Sequence, residues 1–128
     1  MMEIKGPQGA LTLQTLAFPA DTNAAGDIFG GWVLSQMDIA GGIAAAQRAK
    51  GRCATVAIDA MRFYAPVLVG DLFTVYTQIA KTGRTSITLH IEAWARRQRT
   101  GEQILVTAGE FTFVALKETG EKRDLPPV

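Results

Sequence analysis

The chain has 128 residues, 48% of them apolar and 20% charged, with a formal net charge of +1. That length builds one domain with a real core, and the composition excludes a disordered chain. The near-neutral balance gives no reason to expect nucleic acid or an anionic membrane as partner. One cysteine, Cys53, excludes an internal disulfide and a CxxC metal knuckle. One histidine, His90, must serve any histidine-based catalysis or zinc site. We therefore expect no metal and no cofactor. No basic segment followed by an apolar run opens the sequence, so the cytoplasm is the expected location.

Residues 1–9 (MMEIKGPQG) are polar, broken by Gly-Pro, and expected to be a loose terminus. Residues 10–17 (ALTLQTLA) alternate apolar and polar and read as a strand that Pro19 stops. Residues 19–31 (PADTNAAGDIFGG) are a turn-rich loop, with Asp27 the expected N-cap and Gly30 and Gly31 at the helix start. A helix follows to about Lys50, with Arg48 and Lys50 in its last turn and Gly51 as the expected C-cap.

This helix (GWVLSQMDIAGGIAAAQRA, 31–49) carries one charge before Arg48, the carboxylate of Asp38. Gly31, Leu34, Ser35, Gly41, Gly42 and Ala45 share its face, whereas Trp32, Val33, Met37, Ile39 and Ile43 lie to the sides and behind. So apolar a helix is expected to be buried, and burying a carboxylate without partners is costly. The glycine-lined strip leaves room for a backbone or ligand beside the acid. The helix is too glycine-rich and too centrally acidic for a membrane span.

Strands fill the rest. Residues 52–64, 72–82, 84–97 and 103–116 read as strands, separated by Ala65-Pro66 with the turn at 67–71, by Gly83, and by Thr100-Gly101. Alternation is cleanest in the third of these, where Ile87, Leu89, Ile91, Ala93 and Ala95 point one way. The charged tail 117–128 (KETGEKRDLPPV) is expected to be loose. The order β-α-β-β-β-β gives an α+β chain, an antiparallel sheet of about five strands with one covering helix. One helix cannot cover such a sheet, so part of the apolar surface should meet a second copy, a homodimer at least.

Three stretches carry a resemblance: TLAFPADTNAAGDIFGGWVLSQMD (15–38), CATVAIDAMRFYAPVLVGD (53–71) and KTGRTSITLHIEAW (81–94). Together with the terminal Asp124-Leu125-Pro126, they resemble the bacterial acyl-CoA thioesterases of the hotdog fold, the YciA type. The resemblance implies a sheet wrapped around one long helix, two copies forming a continuous sheet, and assembly as a dimer or a trimer of dimers. It implies hydrolysis of acyl-coenzyme A at sites between subunits, with Asn23 from one chain and Asp38 from the other.

In that context Asp38 is either the general base that takes a proton from the attacking water or a nucleophile forming a mixed anhydride. Asn23 alone would be a structural loop residue; in the family context it positions water or the thioester, its amide both donating and accepting. Gly30 and Gly31 are tight-turn glycines or, through free N–H groups at the helix start, oxyanion donors, with Gly31 the better candidate. Coenzyme A phosphates call for basic residues, and the candidates are Arg62, Lys81, Arg84 and Arg123, with Thr85 and Ser86 beside Arg84. His90 reads as a surface or interface residue, Asp71 as a turn residue, Cys53 as a small strand residue and Asp59 as a strand acid without a role. GDIFGG lacks the lysine of a phosphate-binding loop. The alternatives are a non-catalytic acyl-CoA-binding or regulatory protein on the same fold, and a hydratase or dehydratase. The latter typically needs a histidine near the central helix, and His90 lies far downstream.

Overall fold

The computed structural model describes residues 6–128; the first part of the terminus expected to be loose, residues 1–5, lies outside the described residues. Five strands and one long helix follow in chain order: β1 (Ala10–Leu16), α1 (Gly30–Ala49), β2 (Cys53–Phe63), β3 (Leu72–Thr82), β4 (Ser86–Arg96) and β5 (Gln103–Ala115). A short 3-10 turn, Pro19–Asp21, precedes the helix. The strands form one sheet in the order β1-β3-β4-β5-β2, every pair antiparallel. The helix lies across one face and touches all five strands.

The alternating row of β4 supplies the centre of the core: Ile87, Leu89, Ile91, Ala93 and Ala95 are completely buried. Phe73 and Val75 from β3 and Phe111 and Phe113 from β5 extend it. From the helix come Trp32, Val33, Met37, Ala40, Gly41, Ala45 and Ala49, spaced at three and four residues as a single buried stripe requires. Trp32 tilts against Phe73 with ring centroids 4.9 Å apart.

That stripe corrects the sequence reading of the glycine strip. A Cβ on Gly41 would lie 2.8 Å from both Ile91 and Phe113, so Gly41 lets the helix settle onto the sheet and faces no ligand. Gly42 is different: its Cβ position meets nothing closer than 4.0 Å. Both helix ends also depart from expectation. Phe29, not Asp27, is the N-cap and supplies no side-chain bond. At the other end Lys50 takes the left-handed conformation, φ 54°, expected of Gly51. Gly51 is small for another reason, since a Cβ there would lie 2.8 Å from the Arg123 guanidinium.

The tail expected to be loose folds back instead. Leu116 bridges Lys122, Arg123 N–H donates to Ala115 O at 3.0 Å, and Leu125 N–H donates to Arg84 O at 2.8 Å. Arg48 holds Pro126 O at 2.7 Å, tying the tail to the end of the helix. Asp71, read as a turn residue, is buried and paired with Arg97, and it also accepts Leu68 N–H at 2.8 Å. No helix among the described residues is long and apolar enough to cross a membrane.

On the sheet face away from the helix, Glu92 is buried beneath His90, Trp94 and the backbone of Gln8. Burial alone would raise its pKa. Contacts from His90 at 2.8 Å, the Trp94 indole at 2.9 Å and Gln8 N–H at 3.2 Å outweigh that and hold the carboxyl below its ordinary range.

Candidate active site

Two irregularities shape β2. Its register against β5 slips between Thr55 and Ala57 and again between Asp59 and Arg62, and Ala60 takes φ 52° inside the second slip. Each slip adds a residue to one strand only, which bends the strand and re-aims its side chains. At the first, Thr55 turns toward the helix and its hydroxyl donates to Asp38 Oδ1 at 2.6 Å.

Asp38 is therefore not the fully buried acid expected from the helix. It is half-buried, on the flank of α1 between the stripe that meets the sheet and the side carrying exposed Ile39 and Ile43. Among the described residues Oδ2 has no hydrogen-bond partner, so one carboxylate oxygen is fixed and the other is open to a water or a substrate. Sequence reasoning missed Thr55; a hydroxyl on the strand returning alongside the helix was the available signal, but the slip that aims it is not written in the alternation.

Asn23 sits in a tight loop closed by the bridge between Thr22 and Ile28. Its Oδ1 accepts the N–H groups of Ala25 at 2.9 Å and Asp27 at 3.1 Å, while its own N–H donates to Asp27 O at 2.7 Å. The side-chain oxygen is thus spent on the loop, and the expectation that the amide would both donate and accept is reduced to donation through Nδ2. Asn23 and Asp38 make no hydrogen bond to each other within this chain.

Gly30 and Gly31 are the first two residues of α1, both exposed. Among the described residues neither N–H has an acceptor, because an α-helix has none for its first amides and the N-cap offers no side chain. Two rings frame them. The Cβ position of Gly31 lies 3.3 Å from the Phe29 ring, and that of Gly30 lies 3.6 Å from Phe63. Behind Gly30 opens a pocket of about 360 Å³ between α1 and the end of β2, lined by Val33, Phe63, Tyr64, Ala65, Val67 and Val106 among others.

The basic candidates separate into groups. Arg84 pairs with Asp124 at 3.1 Å, both largely exposed. Its neighbours Lys81, near the end of β3, Thr85 and Ser86, the first residue of β4, flank the same turn, where Gly83 N–H donates to Ser86 O at 2.8 Å. Arg123 closes the end of α1, donating to Ala49 O and Leu116 O, each at 2.9 Å. That bonding makes it a helix cap. Arg62 lies near the opposite end of the sheet. Ser86 and Ala54 both pair with Val114, so Arg62 stands eight residues farther along β2, roughly 25 Å away. One chain does not bring Arg62 to the others.

The candidate site thus consists of a carboxylate held by a hydroxyl on the flank of the central helix and free N–H groups at that helix's start. The thioesterase superfamily model matches residues 25–102, which run from the Asn23 loop through β4. The chain belongs to the thioesterase superfamily. It is 48% identical to the acyl-CoA thioester hydrolase YciA of Salmonella typhimurium over 94% of this chain and 92% of that one. The crystal structure of a hexameric broad-specificity acyl-coenzyme A thioesterase superposes with a TM-score of 0.92 at 46% identity, over 96% of this chain and 85% of the other. A hexameric hotdog fold thioesterase of Campylobacter jejuni gives 0.87 at 39% identity, over 92% and 91%. The fold of this thioesterase-superfamily chain is the hotdog, with α1 as the enclosed helix.

Proposed function

We propose that the chain hydrolyses acyl-coenzyme A thioesters in the cytoplasm, with Asp38 as general base and Asn23 of a second copy completing each site. The observation that carries this reading is the Thr55–Asp38 contact at 2.6 Å, which fixes one oxygen of a half-exposed carboxylate and leaves the other free. A water held at Oδ2 loses a proton to Asp38 as its oxygen attacks the thioester carbon. The carbonyl oxygen becomes an oxyanion and accepts N–H bonds at Gly30 and Gly31. Collapse breaks the carbon–sulfur bond, and the coenzyme thiolate leaves and takes up a proton. A thiolate is a good leaving group, so no strong general acid is required. Coenzyme A is part of the substrate, and water is the only co-reactant.

Two features support a site shared between copies. Gly31 and Asp38 are seven residues apart on one helix, a rise of roughly 10 Å, too far for both to contact one carbonyl group. The outer edge of β2 and the adjacent flank of α1 expose Val56, Ile58, Ile39 and Ile43, an apolar strip beside an unpaired strand edge. A second copy on that strip makes the homodimer, and three dimers make the hexamer that the related structures describe. Lys81, Arg84, Thr85 and Ser86 form the remaining group for the coenzyme phosphates, with Arg62 reaching them only from another chain.

Release of free thiol from acyl-coenzyme A tests the reading. Wild type turns over, and Asp38→Ala loses about 10²–10⁴-fold in kcat with its fold intact. Equal turnover by the two proteins overturns the role of Asp38. Tight binding with no turnover by wild type favours a non-catalytic acyl-CoA-binding protein.

A further inference from the structure

A water that gives one proton to Asp38 Oδ2 carries a second O–H. That group needs an acceptor before the oxygen lone pair is aimed at the thioester carbon. We propose that Ser35 Oγ is this acceptor and so orients the attacking water. The inference rests on the reading of Asp38 as general base.

Asn23 does not fill the need, because its Oδ1 already accepts the N–H groups of Ala25 at 2.9 Å and Asp27 at 3.1 Å. Thr55 lies on the other carboxylate oxygen, donating to Oδ1 at 2.6 Å. Ser35 differs from both. Its hydroxyl donates to Trp32 O at 2.8 Å, which commits the proton and leaves the oxygen as an acceptor. Among the described residues no group donates to that oxygen.

Ser35 precedes Asp38 by three residues on α1, and side chains at that spacing share a face with Cβ atoms roughly 5–6 Å apart. Helical side chains lean toward the N-terminus, so the Asp38 carboxylate tilts back over the turn that holds Ser35. Around the helix Ser35 falls between Asp38 and exposed Ile39, away from the buried stripe and itself open to solvent. One water at that flank reaches both Asp38 Oδ2 and Ser35 Oγ. As its oxygen bonds to the thioester carbon, one proton passes to Asp38. The second stays on the oxygen, held by Ser35, until the carbon–sulfur bond breaks and Asp38 returns its proton to the leaving thiolate.

The test measures kcat and KM on butyryl-coenzyme A, with Tm alongside, for the purified full-length protein. Ser35→Ala keeps the fold, alanine being the better helix former. It lowers kcat by about two- to tenfold, the contribution of one neutral hydrogen bond, and leaves KM unchanged. Ser35→Thr, which keeps an acceptor at the same position, recovers most of that loss. Because both side chains hold one water, Ser35→Ala adds no further loss to Asp38→Ala. Wild-type kcat in Ser35→Ala overturns the proposal, and so does a full additional loss in the Asp38→Ala background. A lowered Tm and raised KM at unchanged kcat also overturns it, since that result makes Ser35 structural. Equal turnover by Asp38→Ala and wild type overturns the general-base reading itself, a different result from an Asp38-dependent enzyme indifferent to Ser35.

Discussion

Thr55 Oγ1 donates to Asp38 Oδ1 at 2.6 Å, joining the edge strand β2 to the middle of the central helix. The contact links two segments that would otherwise place the carboxylate independently of the sheet. A hydrogen bond to a charged group contributes about 1.5–3 kcal/mol. Replacing Thr55 with Val, which keeps the shape and removes the donor, should therefore lower kcat by roughly ten- to a hundredfold with little change in KM. Thr55→Ser should recover most of the loss. Equal kcat in Thr55→Val and wild type would show that the hydroxyl does not position the acid.

The two neighbouring glycines of α1 should respond differently to alanine. At Gly41 the new methyl meets Ile91 and Phe113 at 2.8 Å, and overpacking of that kind costs about 1–3 kcal/mol. At Gly42 the nearest atom is 4.0 Å away, and alanine is the better helix former by about 1 kcal/mol. Thermal unfolding should put Gly41→Ala several degrees below Gly42→Ala. The reverse order would refute the seating of the helix described above.

Sequence pattern carried the sheet well and the site unevenly. The β4 row could be read directly because strict alternation beneath one helix leaves each apolar residue a single destination. The glycine strip could not, because a wheel shows which residues share a face but not which part of it meets the sheet. Gly41 and Ala45 turned out to seat the helix while Asp38 stayed on its flank. Thr55 was hidden by a register slip, and slips depend on strand pairing rather than on local residue types. The capping role of Arg123 was hidden because its acceptors, Ala49 O and Leu116 O, are backbone groups brought near only by the folded tail.

Arg123 has a contribution to stability of its own. Arg123→Met removes two bonds to backbone carbonyls, one of them at the end of α1, and should cost about 1–3 kcal/mol. The loss should be read in Tm. An unchanged Tm with a raised KM for acyl-coenzyme A would return Arg123 to the coenzyme path.

Glu92 gives a pH dependence. Its carboxyl is held below the ordinary range in the folded chain, so its contribution is present above the unfolded value and fades as pH falls through the folded one. Stability of wild type should decline below about pH 4.3, and Glu92→Gln should show a shallower decline there. Matching slopes would mean that the His90, Trp94 and Gln8 contacts do not favour the charged form.

The central claim is that each site draws Asp38 from one copy and Asn23 from another. The most direct measurement mixes inactive Asp38→Ala and Asn23→Ala proteins, unfolds and refolds them together, and assays thiol release. Random pairing makes half the dimers mixed, and each mixed dimer holds one intact site, so the mixture should recover about a quarter of wild-type activity. A mixture as inactive as its two parents would contradict the shared site and put the whole of the chemistry within one chain.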